Sequence, residues 1–355
     1  MARIDILLPV HNGMPYLDAA IASIRAQSER DWRLLVLDHG STDGSVALAA
    51  RHATEDRRIE LHNCAGAAGL ADLLNLGLAL CDGRYVMRHD ADDICLPDRM
   101  ALTLAAFARH PGMAVISGQA ELIDAGDAAI GQLRLPVGIV RLSAASLFRN
   151  PISHPALTMD RAVIGRLGAQ YGSDFLNVLP EEESMHVNGL AEDYFMFGQL
   201  ALLGLCVNLA QPLIRYRWHA ANVSSTRAQE QLRISLEISR FLARAFCKLH
   251  EVPVFDPAPF CNHGGQLFEL DGGPDFDDAF RAMASALRRG LGTSEQLERE
   301  LRYRRTLAHR SAPHMLLRYA SFRQRYAAET GEWFALRSWL LRGLPGRALM
   351  TAEQA

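Results

Sequence analysis

Five short, nearly continuous apolar runs, separated by amphipathic stretches, constrain this chain more than any other feature. They are Ile4 to Val10, Trp32 to Leu37, Ile59 to His62, Tyr85 to Arg88 and Ala114 to Gly118. Apolar runs of this length without strict alternation suit strands buried on both faces. Between them, Pro15 opens a helical pattern with Leu17, Ile21 and Ile24 on one face, and Ser45 to Ala53 forms a second. Gly69 to Leu80 is a third, with Leu70, Leu73, Leu74 and Leu78 expected inward, and Ala101 to Phe107 is a fourth. Strands alternating with helices at this spacing predict right-handed βαβ units and a mainly parallel sheet, an α/β fold. Ligands of such sheets bind beyond the carboxyl ends of the strands. The polar clusters 11–13, 38–44 and 88–93 all fall at those ends.

The third cluster carries chemistry. Tyr85 to Met87 is followed almost at once by Asp90, Asp92 and Asp93. Three crowded carboxylates repel unless a cation joins them. Hard divalent ions such as Mg²⁺ or Mn²⁺ take oxygen ligands and bridge carboxylates to substrate phosphates. The alternative is an Asp-rich turn capping the helix that begins near Pro97.

Beyond residue 120 the pattern loosens. Asn150-Pro-Ile-Ser-His-Pro155 is a stiff turn leading into a strand at Ala156 to Met159, and Glu181 to Glu183 an acidic loop. Ala191 to Ala201 reads as a helix whose first turn holds Glu192 and Asp193, where the helix dipole favours carboxylates. Leu213 to Arg217 is a further strand, and from Arg227 the pattern is mostly helical, broken around 253–273.

At 355 residues, 49% hydrophobic and 22% charged, the composition is that of a soluble globular protein. A net charge of -3 gives no reason to expect nucleic-acid binding. Six scattered cysteines without a Cys-x-x-Cys pair fit reduced thiols in the cytoplasm. No leader precedes the first strand, and no window approaches the roughly 18 apolar residues of a membrane span. The stretch Glu298 to Arg347 mixes arginines with Trp333, Trp339 and other aromatics. It reads either as a helical subdomain on the sheet or as a basic amphipathic tail resting peripherally on the inner membrane.

Several segments, in order, resemble family 2 glycosyltransferases of the GT-A fold. Leu7-Leu-Pro-Val-His-Asn-Gly13 is similar to the family's I-I-P-V-Y-N-G, and Leu35-Val-Leu-Asp-His-Gly-Ser-Thr-Asp-Gly44 to its I-V-D-D-G-S-T-D-G. Gly69 to Gly77 resembles G-L-A-A-A-L-N-x-G, and Arg88-His-Asp-Ala-Asp-Asp-Ile-Cys-Leu-Pro-Asp-Arg99 resembles R-M-D-A-D-D-x-x-x-P-x-R. Glu192-Asp193-Tyr194 resembles the opening of E-D-Y-D-L-W-x-R-L, and Tyr216-Arg-Trp-His219 with Asn222 and Ser224 resembles Y-R-x-H-x-x-N-x-S. The resemblance spans about residues 3 to 226. It implies a GT-A domain over 1–226, with a nucleotide half to about 120 and an acceptor half after it, followed by a helical region over 227–355.

The same resemblance implies a transferase that inverts anomeric configuration. A sugar would move from a nucleotide-diphosphate donor, UDP-sugar favoured, to a hydroxyl of a glycan or lipid-linked acceptor. It places the donor against Pro9, Val10, His11, Asn12, Asp38, His39, Gly40, Asn75, Arg88, Asp90 and Ala91. It places the Mn²⁺ or Mg²⁺ on Asp90 and Asp92, with His219 a third ligand or a local hydrogen-bonding partner. It makes Asp193 the general base, with Glu181 to Glu183 a weaker source. Arg88 and Arg99 flank the acids and are expected to pair with them, and Arg88 could also reach phosphate. His154 is expected to be structural or to face the acceptor.

Two departures stand out. His39 replaces the family's second aspartate, and Phe197-Gly-Gln199 replaces its Trp-x-Arg. They leave a degenerate domain that binds without turnover as the rival reading. A nucleotidyltransferase would need a Gly-rich basic loop, which His11-Asn-Gly-Met-Pro15 is not.

Overall fold

The computed structural model describes residues 3–219, 227–262, 276–307, 309 and 311–340. Asn222, Ser224 and the end of the basic tail, residues 341–347, lie outside them.

Strands β1 (Ile4–Val10), β2 (Trp32–Asp38), β3 (Ile59–Asn63) and β4 (Tyr85–Arg88) pair in parallel in the order β3-β2-β1-β4. Helices α1 (Leu17–Arg25), α2 (Ser45–Glu55) and α3 (Leu70–Leu80) connect them. Pairing puts Val10 opposite Asp38 and Leu7 opposite Arg88, so the loops after β1, β2 and β4 leave the sheet along one edge. Every β1 residue is buried, as a continuous apolar run predicts.

The inward face of α3 differs from the expected one. Leu70 is exposed and Leu78 only partly covered; Ala71, Leu73, Leu74 and Gly77 face inward. The reason is close packing, since a Cβ on Gly77 would stand 2.6 Å from Leu37 Cδ1 and 3.0 Å from Leu7 Cδ2. Small residues set the approach, and the leucines turn around them.

The second half continues the sheet with mixed directions. It adds the two-residue β5 (Ile94–Cys95), α4 (Arg99–Arg109) and β6 (Val115–Ile123), with β7 (Ala129–Leu133) hairpinned on it. Then come α5 (Ile139–Ser146), β8 (Thr158–Asp160), α6 (Arg161–Leu167), α7 (Glu192–Leu202) and β9 (Cys206–Arg217). β8 is antiparallel to β4 and β6, while β9 runs parallel to β6 and antiparallel to β5. The full order is β3-β2-β1-β4-β8-β6-β9-β5. This is the expected α/β architecture, a parallel first half extended by a mixed second half.

Helices α8 (Ala228–Leu249), α9 (Phe276–Leu291), α10 (Glu295–Leu307), α11 (Ala312–Arg325) and α12 (Glu332–Leu340) form the C-terminal region. Its apolar core is continuous with the sheet domain: Phe148, Tyr194 and Phe195 pack with Phe241, Leu242, Phe246 and Leu297. No described helix is long and apolar enough to cross a membrane. Several arginines of the basic stretch point inward. Arg304 is fully buried and donates to Glu300 Oε1 at 2.7 Å, and Arg299 reaches Glu332 at 2.7 Å. Arg141 and Arg149 from the sheet domain both grip Glu329. A cavity of about 630 Å³ lies between β6–β7 and α10, lined by Gln119, Arg134, Arg141, Arg299 and Tyr326 among others, with none of the acidic cluster.

Burial pushes the Glu300 carboxyl up, but four surrounding arginines, Arg304 foremost, outweigh it and hold it at about 2. Removing one member of a buried ion pair leaves its partner uncompensated. Glu300→Gln is therefore expected to cost roughly 3–5 kcal/mol in urea unfolding at neutral pH. Unfolded, Glu300 titrates near its ordinary 4.5, so its contribution is complete above that pH and lost as pH falls toward about 2. The gap between wild type and variant should narrow over that window.

Candidate active site

The site is built from three loops, two of which interlock through their own hydrogen bonds. His39 N donates to Val10 O at 2.8 Å, joining the end of β1 to the start of the second loop. Asn12, with φ of 55°, accepts from Thr42 N at 2.8 Å through Oδ1 and donates its own N–H to Ser41 Oγ at 2.9 Å. Gly13 N donates to Ser45 Oγ and Met14 N to Asp43 Oδ2, each at 2.9 Å. Gly40, at φ of +76°, occupies a left-handed turn that a side chain would strain.

These bonds say what each expected donor-binding residue does in the fold. Pro9 and Val10 are buried in β1. Asp38 is buried and accepts from Gly40 N at 3.2 Å and Ser41 N at 3.1 Å, so its carboxylate shapes its own loop. His39, where the family has aspartate, bonds through Nε2 to Ala67 O at 2.9 Å and ties the second loop to the turn before α3. Asn75 both donates to Tyr171 O and accepts from Tyr171 N at 3.0 Å, clamping α3 to the second half. His11 and Asn12 are exposed beside them.

The acidic cluster follows β4. Carboxylate oxygens of Asp90, Asp92 and Asp93 lie within 4.8 Å of one another. Arg88 pairs with Asp90 and also donates to the carbonyl of His89. Arg99 does not pair with the acids as expected; fully buried, it donates to the carbonyls of Arg88 at 2.6 Å and Leu157 at 3.1 Å. It braces the strand end from behind, because its helix starts beneath the loop rather than facing it. His219 Nε2 lies 3.0 Å from Asp92 Oδ2, and its ring stacks on Tyr16 at 5.4 Å. Arg217 at the end of β9 donates its backbone N–H to Asp93 Oδ1 at 2.8 Å, and its guanidinium covers Tyr16. Tyr16 thus joins the first loop to the last strand, a role its sequence context did not announce.

Asp93 is 1% exposed, yet its Oδ2 has no hydrogen-bond partner among the described residues. Burial, then the charges of Asp90 and Asp92, push its carboxyl well above the usual range. Burial and the Asp90 charge raise Asp92 as well, against the pull of His219. Three oxygen donors, one of them without a partner among the described residues and two raised by burial and then by their neighbours' charge, fit a hard divalent cation. Asp90, Asp92 and Asp93 would hold it, with His219 bonded to the middle one.

Across the cleft, α7 opens at Ala191 in a left-handed conformation, φ 63°, and brings Glu192 and Asp193 to the same region. The carboxyl of Asp193 is raised, by burial first, against bonds from Tyr194 N–H and Asn150. This corrects the expected lowering by the helix dipole: desolvation outweighs a terminal field of a few tenths to 1 kcal/mol. The charge of Asp90 also acts to raise Asp193, so the two acidic groups lie within electrostatic reach of each other. Glu192, buried, is pushed up to about 8 by burial and then by Asp193. Asn150 Nδ2 donates to Asp193 Oδ2 at 2.8 Å.

The remaining candidates are placed outside this group. Glu181 to Glu183 form an exposed turn, with Glu183 paired to Arg244 at 3.0 Å. His154 bonds Tyr171 OH at 3.0 Å and packs on Phe197, and burial first, then Arg88, lowers it well below the usual imidazole value. Gly198 and Gln199 also acquire roles. A Cβ on Gly198 would meet Leu242 Cδ1 at 2.6 Å, so glycine lets α8 seat on α7. Gln199 binds Phe175 N at 3.1 Å and Ser173 O at 3.0 Å, fixing the segment below the cleft.

Residues 5–157 match the family model described as "Glycosyl transferase family 2". The chain carries a family 2 glycosyltransferase domain. It is 24% identical over 245 residues to an uncharacterized glycosyltransferase of Haemophilus influenzae, covering 67% of this chain and 72% of that one. It is 25% identical over 197 residues to the O-antigen biosynthesis glycosyltransferase WbnJ of Escherichia coli, covering 53% and 76%. S. aureus TarS 1–349 in complex with UDP-GlcNAc superposes with a TM-score of 0.49 at 17% identity, over 93% of this chain and 95% of that one. The interlocked loops and the acidic cluster of this glycosyltransferase lie within the matched residues; Asp193 and His219 lie beyond them.

If the cluster holds the cation, Asp92→Ala and Asp93→Asn should each weaken Mn²⁺-dependent binding of UDP or GDP by at least about tenfold by calorimetry. Asp93→Asn is the sharper variant, because the amide can still accept the bond from Arg217 N.

Proposed function

We propose that this glycosyltransferase moves a sugar from a nucleoside-diphosphate donor to a hydroxyl of a glycan or lipid-linked acceptor, with inversion at the anomeric carbon and Asp193 as general base. The reading is supported by the start of α7, which presents Asp193 within reach of the Asp90 charge and holds its carboxylate by a bond from Asn150. The nucleotide would lie over the loops 11–13 and 38–44, whose exposed His11 and Asn12 flank the cleft. The O-antigen role of the Escherichia coli relative supports a glycan acceptor.

A divalent cation on Asp90, Asp92 and Asp93 would offset the negative charge that develops on the departing diphosphate. The residues of the chain do the rest. Arg88, bonded to Asp90, adds positive charge at the strand end. Asp193 takes the proton of the acceptor hydroxyl as its oxygen attacks the anomeric carbon opposite the leaving group. A single displacement of this kind inverts configuration. Burial and then the charge of Asp193 push Glu192 up to about 8, so the two neighbouring carboxyls titrate as a pair that carries less than two full negative charges near neutral pH.

Asp193→Asn should lower kcat by about 10² to 10⁴ while leaving nucleotide affinity unchanged. Release of nucleoside diphosphate across a panel of UDP- and GDP-sugars with Mn²⁺ measures it. Turnover near that of the wild type would remove Asp193 from the role. Because burial raises Asp193, kcat/KM of the wild type should fall on the acid side at a higher pH than an ordinary aspartate gives.

A further inference from the structure

We infer that Asn150 is the positioning residue of the base: its side-chain amide orients the Asp193 carboxylate. The inference rests on the proposed role of Asp193. Asn150 follows α5 in the turn Leu147–Asn150 and is separated from Asp193 by 43 residues. Its side chain is committed at both ends. Oδ1 accepts from Ile152 N at 3.1 Å, and Nδ2 donates to Asp193 Oδ2 at 2.8 Å. An amide flip would break both bonds and set an oxygen against the carboxylate, so the donor is fixed in place. No other side chain among the described residues donates to this carboxylate. Asp193 Oδ2 is therefore held, while the backbone N–H of Tyr194 also bonds the carboxylate.

The turn carrying Asn150 is itself anchored from several sides. Asn208, buried in β9, donates to Pro151 O at 2.8 Å, and Ser117 Oγ donates to Ser153 O at 3.2 Å. Asn262 N donates to Phe148 O at 3.3 Å from the C-terminal region. Arg149, 7% exposed, grips Glu329 and reaches Thr330 O at 3.4 Å. A surface turn with no precise task would not need sheet and helical region to hold it together. Its neighbours also explain why a donor is needed. Desolvation and the Asp90 charge both push the Asp193 proton on; the Asn150 bond is the side-chain contact that opposes them.

The test compares Asn150→Ala and Asn150→Asp in the full-length protein by the pH dependence of nucleoside diphosphate release from UDP- and GDP-sugars with Mn²⁺. Asn150→Asp is nearly isosteric and can still accept from Ile152 N, so it keeps the turn while replacing the donor by a like charge. Both variants are expected to lose about tenfold or more in kcat, to keep the donor KM within about twofold, and to move the acid limb of kcat/KM to higher pH, Asp further than Ala. A loss of activity with an unmoved acid limb, or no loss at all, would overturn the positioning role while leaving Asp193 as base. If Asp193→Asn retained turnover, the base reading would fall and the positioning role with it.

Discussion

Three carboxylates crowded at the end of one buried strand set the terms for everything around them. Asp90, Asp92 and Asp93 follow β4 within a single turn, and one of them is wholly buried. Opposing them are one guanidinium, one imidazole and one backbone N–H: Arg88 on Asp90, His219 on Asp92 and Arg217 N on Asp93. Those contacts leave a buried oxygen without a partner among the described residues and two carboxyls raised. Such a strand end fits the proposed cation, since a structural turn would be more stable with neutral residues there.

The surrounding architecture protects that arrangement. Parallel pairing of β1 with β2 and β4 brings three loops to one edge, and the bonds of Asn12, Gly13, Met14 and His39 lock two of them to each other. Arg99 secures the strand end from below, and Tyr16 with His219 and Arg217 closes the far side. The mixed half brings the start of α7, with the proposed base Asp193, against a turn held by β9 and by the C-terminal helices. The helical region is thus part of the rigid frame of the cleft. Its buried arginine–glutamate pairs reach through Arg149 to the residue next to Asn150.

What the sequence alone revealed follows from local physics. Continuous apolar runs located β1 to β4 almost to the residue, because strands buried on both faces cannot hide their composition. β6 and β9 run longer than expected, through Gln119, Glu121, Asn208 and Gln211, because strands of the mixed half carry polar residues no apolar pattern would include. β7 escaped for the same reason, being mostly exposed. The inward face of α3 was misassigned because Ala71 and Gly77, rather than its leucines, set the packing distance. The acidic cluster was legible as three carboxylates, but not that Asp93 alone would be buried with an orphaned oxygen. Asn150 read as part of a stiff turn; its partner lies 43 residues away, and nothing local signals such a contact. The inward arginines of α10 looked like a solvated basic face, since only tertiary packing shows which charges meet.

A crystal of the protein grown or soaked with Mn²⁺ and UDP or GDP, with anomalous diffraction recorded for manganese, tests the central claim most directly. The account predicts one anomalous peak among the carboxylates of Asp90, Asp92 and Asp93, bridged to diphosphate oxygens, with the cleft open toward Asp193. Manganese or diphosphate bound elsewhere, with the buried oxygen of Asp93 still without a partner, would contradict it.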